Sequence, residues 1–339
     1  MIDCIFTIDY EIYGNGEGSL DSLVHGPTAS LMQLFDRHAA RFVAYVEVGE
    51  FEAISRALSD PGIARVESQI RTLDRDGFEI ALHIHPQWYS GRYESGHWQL
   101  EEREYNLCTL PPHRIEEIVG RGISYLREVT GKPGFTPRSF RAGNWLFQPT
   151  RNVASVLARH GLRLDSSVFK GGLQRQHGLD YRGCSRYGYY WRFRDAVDIE
   201  DPAGPLLEIP IHTERVPFWK MLTRKRVSIQ GRPASGGPSK RRRISRALDF
   251  VRPYYPRKLD FCRMTLDELT GTLASILAED AADPGRYRPI VAIGHSKDLV
   301  DFDTIERFLQ FLSAHGIRIA TFEDAMARCV DATAHFQDT

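Results

Sequence analysis

The feature that most constrains this chain is a repeated alternation of short apolar runs with longer stretches carrying apolar residues at helical spacing. Residues 2–8 read as a buried strand. Residues 27–40 follow as a helix, with Leu31, Leu34 and Phe35 on one face and a proline near its start. A second strand at 42–48, a helix at 64–75 and a third strand at 78–83, entered through Asp76-Gly77, continue the pattern. Helices are then expected over 115–130 (ended by Gly131), 152–159, 266–278 and 304–314. Strands are expected over 138–141, 162–164, 206–211, 290–293 and 317–320. Each helical crossover returns the chain to run parallel with its predecessor, and about eight such units can close a ring. The expected fold class is therefore α/β, a distorted TIM-like (β/α) barrel of about seven or eight strands. One domain over 1–330 accounts for nearly all of the 339 residues, with a tail at 331–339.

An open, doubly wound sheet is the structural alternative, and it wants a glycine-rich turn directly after the first strand. Gly14-Asn15-Gly16-Glu17-Gly18 lies well past that strand and carries an acid inside it. Such a loop is a poor cradle for pyrophosphate, which argues against a dinucleotide site. Two stretches interrupt the alternation and read as insertions on one face of the scaffold. The segment at about 86–112 is rich in aromatic residues (Trp88, Tyr89, Tyr93, Trp98, Tyr105). The segment at about 214–260 carries Arg224-Lys225-Arg226, a Gly/Pro/Ser-rich run at 231–239, and Lys240-Arg241-Arg242-Arg243.

Lysine plus arginine and aspartate plus glutamate each total 44, so net charge gives no reason to expect nucleic acid. The local excess of cations at 220–246 is a different matter. It would suit phosphate on a nucleotide-linked or lipid-linked glycan, or an anionic membrane surface. The first residues lack a basic start, a long apolar core and a small-residue cleavage site, and no apolar run is long enough to span a bilayer. Five scattered cysteines without a CxxC pair fit reduced thiols. These readings together predict a cytoplasmic protein, peripheral at the inner membrane face if the basic segment binds lipid.

In a parallel barrel, functional side chains gather where strands run into loops. The polar residues at those ends are Asp9 and Glu11, His83 and His85, Arg141, Asp165, His212 and His295. In a strand, residues two apart project to the same side, so His83 and His85 can face one ion. A carboxylate from the first strand, Asp9 or Glu11, would complete a three-ligand site with positions left for water and substrate. Zinc is the expected occupant of this one-ion site, with cobalt, nickel, manganese or iron as other first-row choices. Asn144, Trp145 and Trp88 are candidates to line a sugar subsite, because aromatic faces stack on pyranose rings. Asp165 would orient His295 or meet substrate hydroxyls. His212 is expected to be structural.

With those residues in view, the chain resembles the polysaccharide deacetylase (NodB-homology, carbohydrate esterase) family. Thr7-Ile8-Asp9-Tyr10-Glu11, Glu79 to Pro86 with its His83-Ile84-His85, Phe140-Arg141-Ala142-Gly143 and Ile293-Gly294-His295 occur in the order of that family's motifs. The resemblance implies a distorted barrel and a divalent ion held by one carboxylate and two histidines. It implies Asp9 as the base, Arg141 as the residue that orients it, His83 and His85 as metal ligands, and His295 as the acid that protonates the leaving amine. Tyr10 stands where the family has its second, metal-binding aspartate, so the carboxylate ligand passes to Glu11 in a D-x-E variant. The two histidines are two residues apart rather than the family's usual four. The expected activity is hydrolytic removal of an acetyl or formyl group from an N-acyl amino sugar, a precursor in cell-surface polysaccharide or O-antigen synthesis. An amidohydrolase of small non-sugar amides and a silent glycan-binding module are the alternatives.

Overall fold

The computed structural model describes residues 1–223, 225 and 254–335. Most of the basic segment, including Arg224, Arg226, the run at 231–239 and the cations from Lys240 to Arg246, lies outside the described residues.

One sheet of nine strands organises the molecule. Its members are β1 (Ile2–Tyr10), β2 (Val43–Glu47), β3 (Glu79–Ile84), β4 (Ser139–Ala142), β5 (Leu164–Asp165), β6 (Trp191–Phe193), β7 (Leu206–Glu208), β8 (Arg288–His295) and β9 (Arg318–Ile319). They lie in the order β6-β7-β5-β4-β3-β2-β1-β8, with β9 pairing the start of β1. Only the β6–β7 pair is antiparallel. The sheet curls until its ends meet. Ile211, just past β7, makes single bridges to Phe169 and to Val291 of β8, and Asp260 bridges Ile293. The His212 amide donates to the Val291 carbonyl at 3.0 Å, and the Leu259 amide to the His212 carbonyl at 2.8 Å. This is the expected distorted barrel, closed by irregular segments rather than by a full strand. Pro210 is the local reason why the strand expected over 206–211 stops early, since it offers no N–H to a ladder.

Every residue of β1 is buried, as a strand covered on both faces requires of a continuous apolar run. Phe6 packs against Phe35, Phe261 and Phe308 with ring centroids 5.2–5.7 Å apart, tying the strand to the helical layer. Around the sheet lie α1 (Gly26–Arg37), α2 (Val48–Ala57), α3 (Ile63–Arg75), α4 (Pro112–Thr130), α5 (Arg151–Arg159), α6 (Leu266–Ala282), α7 (Phe302–Ala314) and α8 (Phe322–His335). In α4, Ile115, Ile118, Val119, Ile123 and Leu126 form the buried stripe, and Gly131 ends the helix in a left-handed conformation at φ 68°. A capping box between Thr265 and Glu268 starts α6.

Three departures from the sequence reading have local causes. Helix α2 follows β2 without a loop, so its first apolar residues merge with the strand's run and hide its period. Helix α8 crosses the expected tail boundary at 330. The aromatic insertion carries a small hairpin (Arg92–Glu94 with His97–Gln99) at the barrel mouth, and α4 already begins at Pro112. The described part of the second insertion is a hairpin of Thr213–Pro217 with Tyr254–Lys258. No helix among the described residues is long and apolar enough to cross a membrane.

Candidate active site

Because the strands run parallel, their C-terminal ends meet on one face and bring distant polar residues together. In the register of the sheet, Asp9 lies beside His295, Glu47 beside His83, and His83 beside Arg141. Strand alternation turns Asp9 and Glu11 to the same side. Tyr10 faces away, and its hydroxyl donates to Gln69 Oε1 of α3 at 2.6 Å. The D-x-E spelling thus keeps two carboxylates on the site and spends the middle residue on packing.

Glu11, Glu47, His83 and His85 are all buried and offer ligand atoms within 4.8 Å of one another. His83 Nδ1 lies 2.8 Å from the Arg141 carbonyl oxygen, which can only accept, so Nδ1 carries a proton and Nε2 is the nitrogen turned to the site. That Nε2 is buried without a hydrogen-bond partner among the described residues. It faces Glu11 Oε2 at 3.5 Å, and His85 Nε2 lies 3.2 Å from the same oxygen. Two bare acceptors so placed repel unless a proton or a cation sits between them. Burial alone would lower the pKa of His83, but Asp9, Glu11 and Glu47 together carry it up to about 9, so a cation is favoured at this point. Lys297 holds the other Glu11 oxygen, Oε1, at 2.6 Å. Burial opposes ionisation of Glu11, yet Lys297 and the two histidines keep its pKa well below the usual value. This donor set of carboxylate and imidazole in a buried setting fits a first-row divalent ion.

Beside it lies a second group. Arg141, fully buried, donates from Nη1 to Asp9 Oδ1 at 2.6 Å, from Nε to the Ser166 carbonyl at 2.9 Å and from Nη2 to Thr7 Oγ1 at 3.0 Å. Its guanidinium lies over the Tyr45 ring, 4.0 Å from the centroid. Burial would raise the pKa of Asp9, but Arg141, His83 and His295 outweigh it and hold the carboxyl below its ordinary value. The other Asp9 oxygen, Oδ2, is 3.4 Å from His295 Nε2. Burial lowers the pKa of His295, which favours the neutral ring, and Asp9 and Asp298 only partly offset this. Asp298 itself is bound by Arg263 at 2.6 and 2.9 Å.

The structure brings together Asp9, Glu11, His83, His85, Arg141 and His295, while the substrate candidates fare unevenly. Asn144 lines a cleft of about 970 Å³ that opens beside His85 and is walled by Tyr13, Gln87, Tyr93, Trp98 and Tyr105. Trp145 is half-buried, with its ring edge-on to His295 at 6.1 Å. Trp88 requires a correction: it is 1% exposed and packs at 5.0 Å against Trp98, which is the tryptophan that reaches the cleft. Asp165 requires another. It is buried and accepts from the Ser167 amide and hydroxyl, with Glu208 beside it in the sheet register, and makes no bond to His295 among the described residues. His212 stacks on Tyr189 away from this site. Glu47, Gln87 and Lys297 are additions. The strand-end rule applied to β2 would have found Glu47, which also accepts the His85 amide at 2.7 Å. The other two lie just beyond strand ends in short turns, and no residue pattern marks them.

No protein-family model matches the chain, and no curated protein is significantly similar to it in sequence. Its fold is nevertheless found among solved structures. A crystal structure assigned as a polysaccharide deacetylase from Mycobacterium smegmatis superposes with a TM-score of 0.55 at 16% identity, covering 98% of this chain and 91% of that one. The allantoinase PuuE gives 0.51 at 14% identity, covering 95% and 88%. A GH57-type branching enzyme from Pyrococcus horikoshii gives 0.56 at 10% identity, covering 96% and 70%. The chain thus has the fold of the polysaccharide deacetylases. Three differently named enzymes share it, so the side chains at the strand ends must distinguish the chemistry.

Proposed function

We propose that this chain is a metal-dependent amide hydrolase that removes an acetyl or formyl group from an N-acylated amino sugar. The observation that carries the reading is His83 Nε2, buried and without a hydrogen-bond partner among the described residues, turned towards Glu11 Oε2 and His85 with the Arg141–Asp9–His295 group alongside. Glu11, His83 and His85 would hold the ion, zinc being the first expectation. When bound, such an ion supplies Lewis-acid activation of water and of the acyl oxygen.

The protein's own groups do the rest. Arg141 keeps Asp9 ionised and fixes its Oδ1, leaving Oδ2 free to take a proton from the attacking water. His295 is neutral at rest, so the proton it delivers must first be acquired. With Nε2 within 3.4 Å of Asp9 Oδ2, it can collect that proton and pass it to the departing nitrogen. The aromatic cleft beside His85 suits a chain of sugar rings better than a small amide.

The reading extends to a precursor of cell-surface polysaccharide, handled in the cytoplasm and carried on a nucleotide or a lipid. Among the described residues, none lining the cleft is lysine or arginine. The cations of the 220–246 sequence would serve a phosphate carrier or an anionic membrane. All five cysteines are buried, and none is in a disulfide among the described residues, which accords with a reducing compartment. The test is elemental analysis of wild type, His83→Ala and Glu11→Ala, followed by acid-release assays on N-acyl amino sugars. About one ion per chain, lost in both variants, supports the site. Loss in His83→Ala alone returns the carboxylate role to Asp9, and no metal in wild type after divalent ions are added back defeats the reading.

A further inference from the structure

The cations around the reacting centre are matched by carboxylates, with one exception. Arg141 pairs with Asp9, Lys297 with Glu11 and Arg263 with Asp298, each at 2.6 Å. Lys258 is close enough to feel the charges of Asp9 and Arg141, yet no hydrogen bond or carboxylate among the described residues holds its Nζ. Asp260, the carboxylate nearest in sequence, accepts instead from the Cys262 and Arg263 amides at 3.0 and 3.1 Å. The Lys258 amine lies over two aromatic faces, 2.9 Å from the Trp145 centroid and 4.2 Å from that of Phe169. Such faces attract a cation through the ring quadrupole, so they hold Nζ in place and leave its hydrogen-bond donors for a ligand.

The placement is built into the barrel. Lys258 ends the second hairpin, and the following residue is tied to both flanks of the closing seam. The Leu259 amide donates to the His212 carbonyl, and the Ile293 amide to the Leu259 carbonyl, both at 2.8 Å. Trp145 joins the amine to the acid of the site. One face of its ring meets Nζ, and the ring stands edge-on to His295 with centroids 6.1 Å apart. Asn144 and Trp145 are both left-handed, at φ 55° and 61°. That conformation is costly for a bulky residue, and strain of this kind gathers at functional sites.

Building on the reading of this centre as an N-acyl sugar hydrolase, we propose that Lys258 is a specificity-determining residue that receives an acidic group, a carboxylate or a phosphate, on the N-acylated sugar itself. A neutral sugar leaves the amine's donors unmatched in a site largely removed from water, and an acidic one satisfies them. The described lining of the cleft beside His85 holds no lysine or arginine to compete for that group, so the cleft takes the uncharged remainder of the glycan. Burial holds the Lys258 pKa well below the usual lysine value, with Asp260 and Asp9 raising it and Arg263 and Arg141 lowering it. An anion at Nζ favours the charged form, so the acidic group and a proton enter together.

The test compares the methyl glycoside of N-acetylglucosamine with its uronic acid and its 6-phosphate, on wild type, Lys258→Met and Lys258→Arg. Calorimetry gives the dissociation constants, and acid release gives kcat and KM. Wild type is expected to bind one of the acidic sugars about 10- to 100-fold more tightly than the neutral glycoside, the usual worth of a hydrogen bond to a charged group. The sugar that gains identifies the group as carboxylate or phosphate. Lys258→Met should erase the preference, with the loss falling on KM for the acidic sugar, and Lys258→Arg should keep most of it. Equal binding of neutral and acidic sugars by wild type, or a preference that persists in Lys258→Met, would overturn the assignment even where all the sugars are hydrolysed. Acid release from none of them counts against the hydrolase reading alone, because the binding ratio still decides whether Lys258 reads an acid. Should Lys258→Met fail to fold, the wild-type ratio and Lys258→Arg decide.

Discussion

Replacing Arg141 with methionine tests the electrostatic core of the site without any substrate. Arg141 is 0% and Asp9 3% exposed, and they meet at 2.6 Å, so this pair is removed from water. With an effective dielectric of about 20 and charge centres about 4 Å apart, their attraction is about 4 kcal/mol. Deleting one partner of such a pair typically costs about 3–5 kcal/mol, because the other charge is left buried alone. Against a folding stability of about 5–15 kcal/mol that is a large fraction. The sign of a second change is more telling than the size of the first. Adding Asp9→Asn removes the stranded charge, so the double variant should be more stable than Arg141→Met alone. The loss should also depend on pH. In wild type the depressed Asp9 pKa contributes stability that is present above the unfolded value and lost as pH falls through the folded one. Without Arg141, burial, already the largest influence, is opposed only by His83 and His295, and the pKa rises. The variant then recovers stability on acidification and loses most at pH 8. Urea unfolding of the metal-free proteins at pH 5 and pH 8, with unchanged m-values, measures all three effects. A cost below about 1 kcal/mol for Arg141→Met, or a double variant less stable than the single one, would refute the buried-pair argument.

Three further outcomes are expected. Asp9→Asn should retain metal while its kcat falls by about 10²- to 10⁴-fold, the usual contribution of a positioned base, as acid-release kinetics and elemental analysis together would show. Gly143→Ala should lower metal affinity and cost about 1–3 kcal/mol of stability in a thermal or urea titration, because the new Cβ would lie 2.6 Å from the Ile84 carbonyl and 2.8 Å from the His85 ring. Asp165 and Glu208 are neighbouring buried carboxyls whose pKa values burial pushes up, Asp165 to about 6 and Glu208 well above its usual value. Raised folded values mean that stability is full at low pH and falls as pH rises from about 4 through 6 and beyond. Glu208→Gln should therefore be neutral or stabilising at pH 8 and flatten that slope.

What the sequence disclosed and what it concealed follow from the period of a strand. Asp9 and Glu11, or His83 and His85, lie two apart, and a two-residue period turns each pair to one side whatever surrounds them. The strand ends converge because apolar runs separated by helical stretches must lie parallel, so Arg141 and His295 could be expected at the same mouth as Asp9, far away in the chain. Trp88 and Asp165 escaped this logic. Trp88 follows a strand but lies in a short turn that packs its ring against Trp98, and Asp165 ends a strand but is held by Ser167. Whether a loop residue faces substrate or core depends on packing by partners far off in sequence, and local pattern carries no record of it. Gln87 shows the same limit from the other side. An isolated glutamine after His85-Pro86 has no spacing to announce it, and only the fold shows its amide 3.4 Å from His85 Nδ1. The fold itself is shared by enzymes named as a deacetylase, an allantoinase and a branching enzyme, so it cannot choose among them. The side chains at the strand ends must do so, and here the Arg141 carbonyl accepts from His83 Nδ1 while the guanidinium of the same residue holds Asp9. One arginine at the end of β4 thus sets both halves of the site. His83 and Asp9 are therefore oriented by the same short strand, and a displacement of β4 would disturb both together.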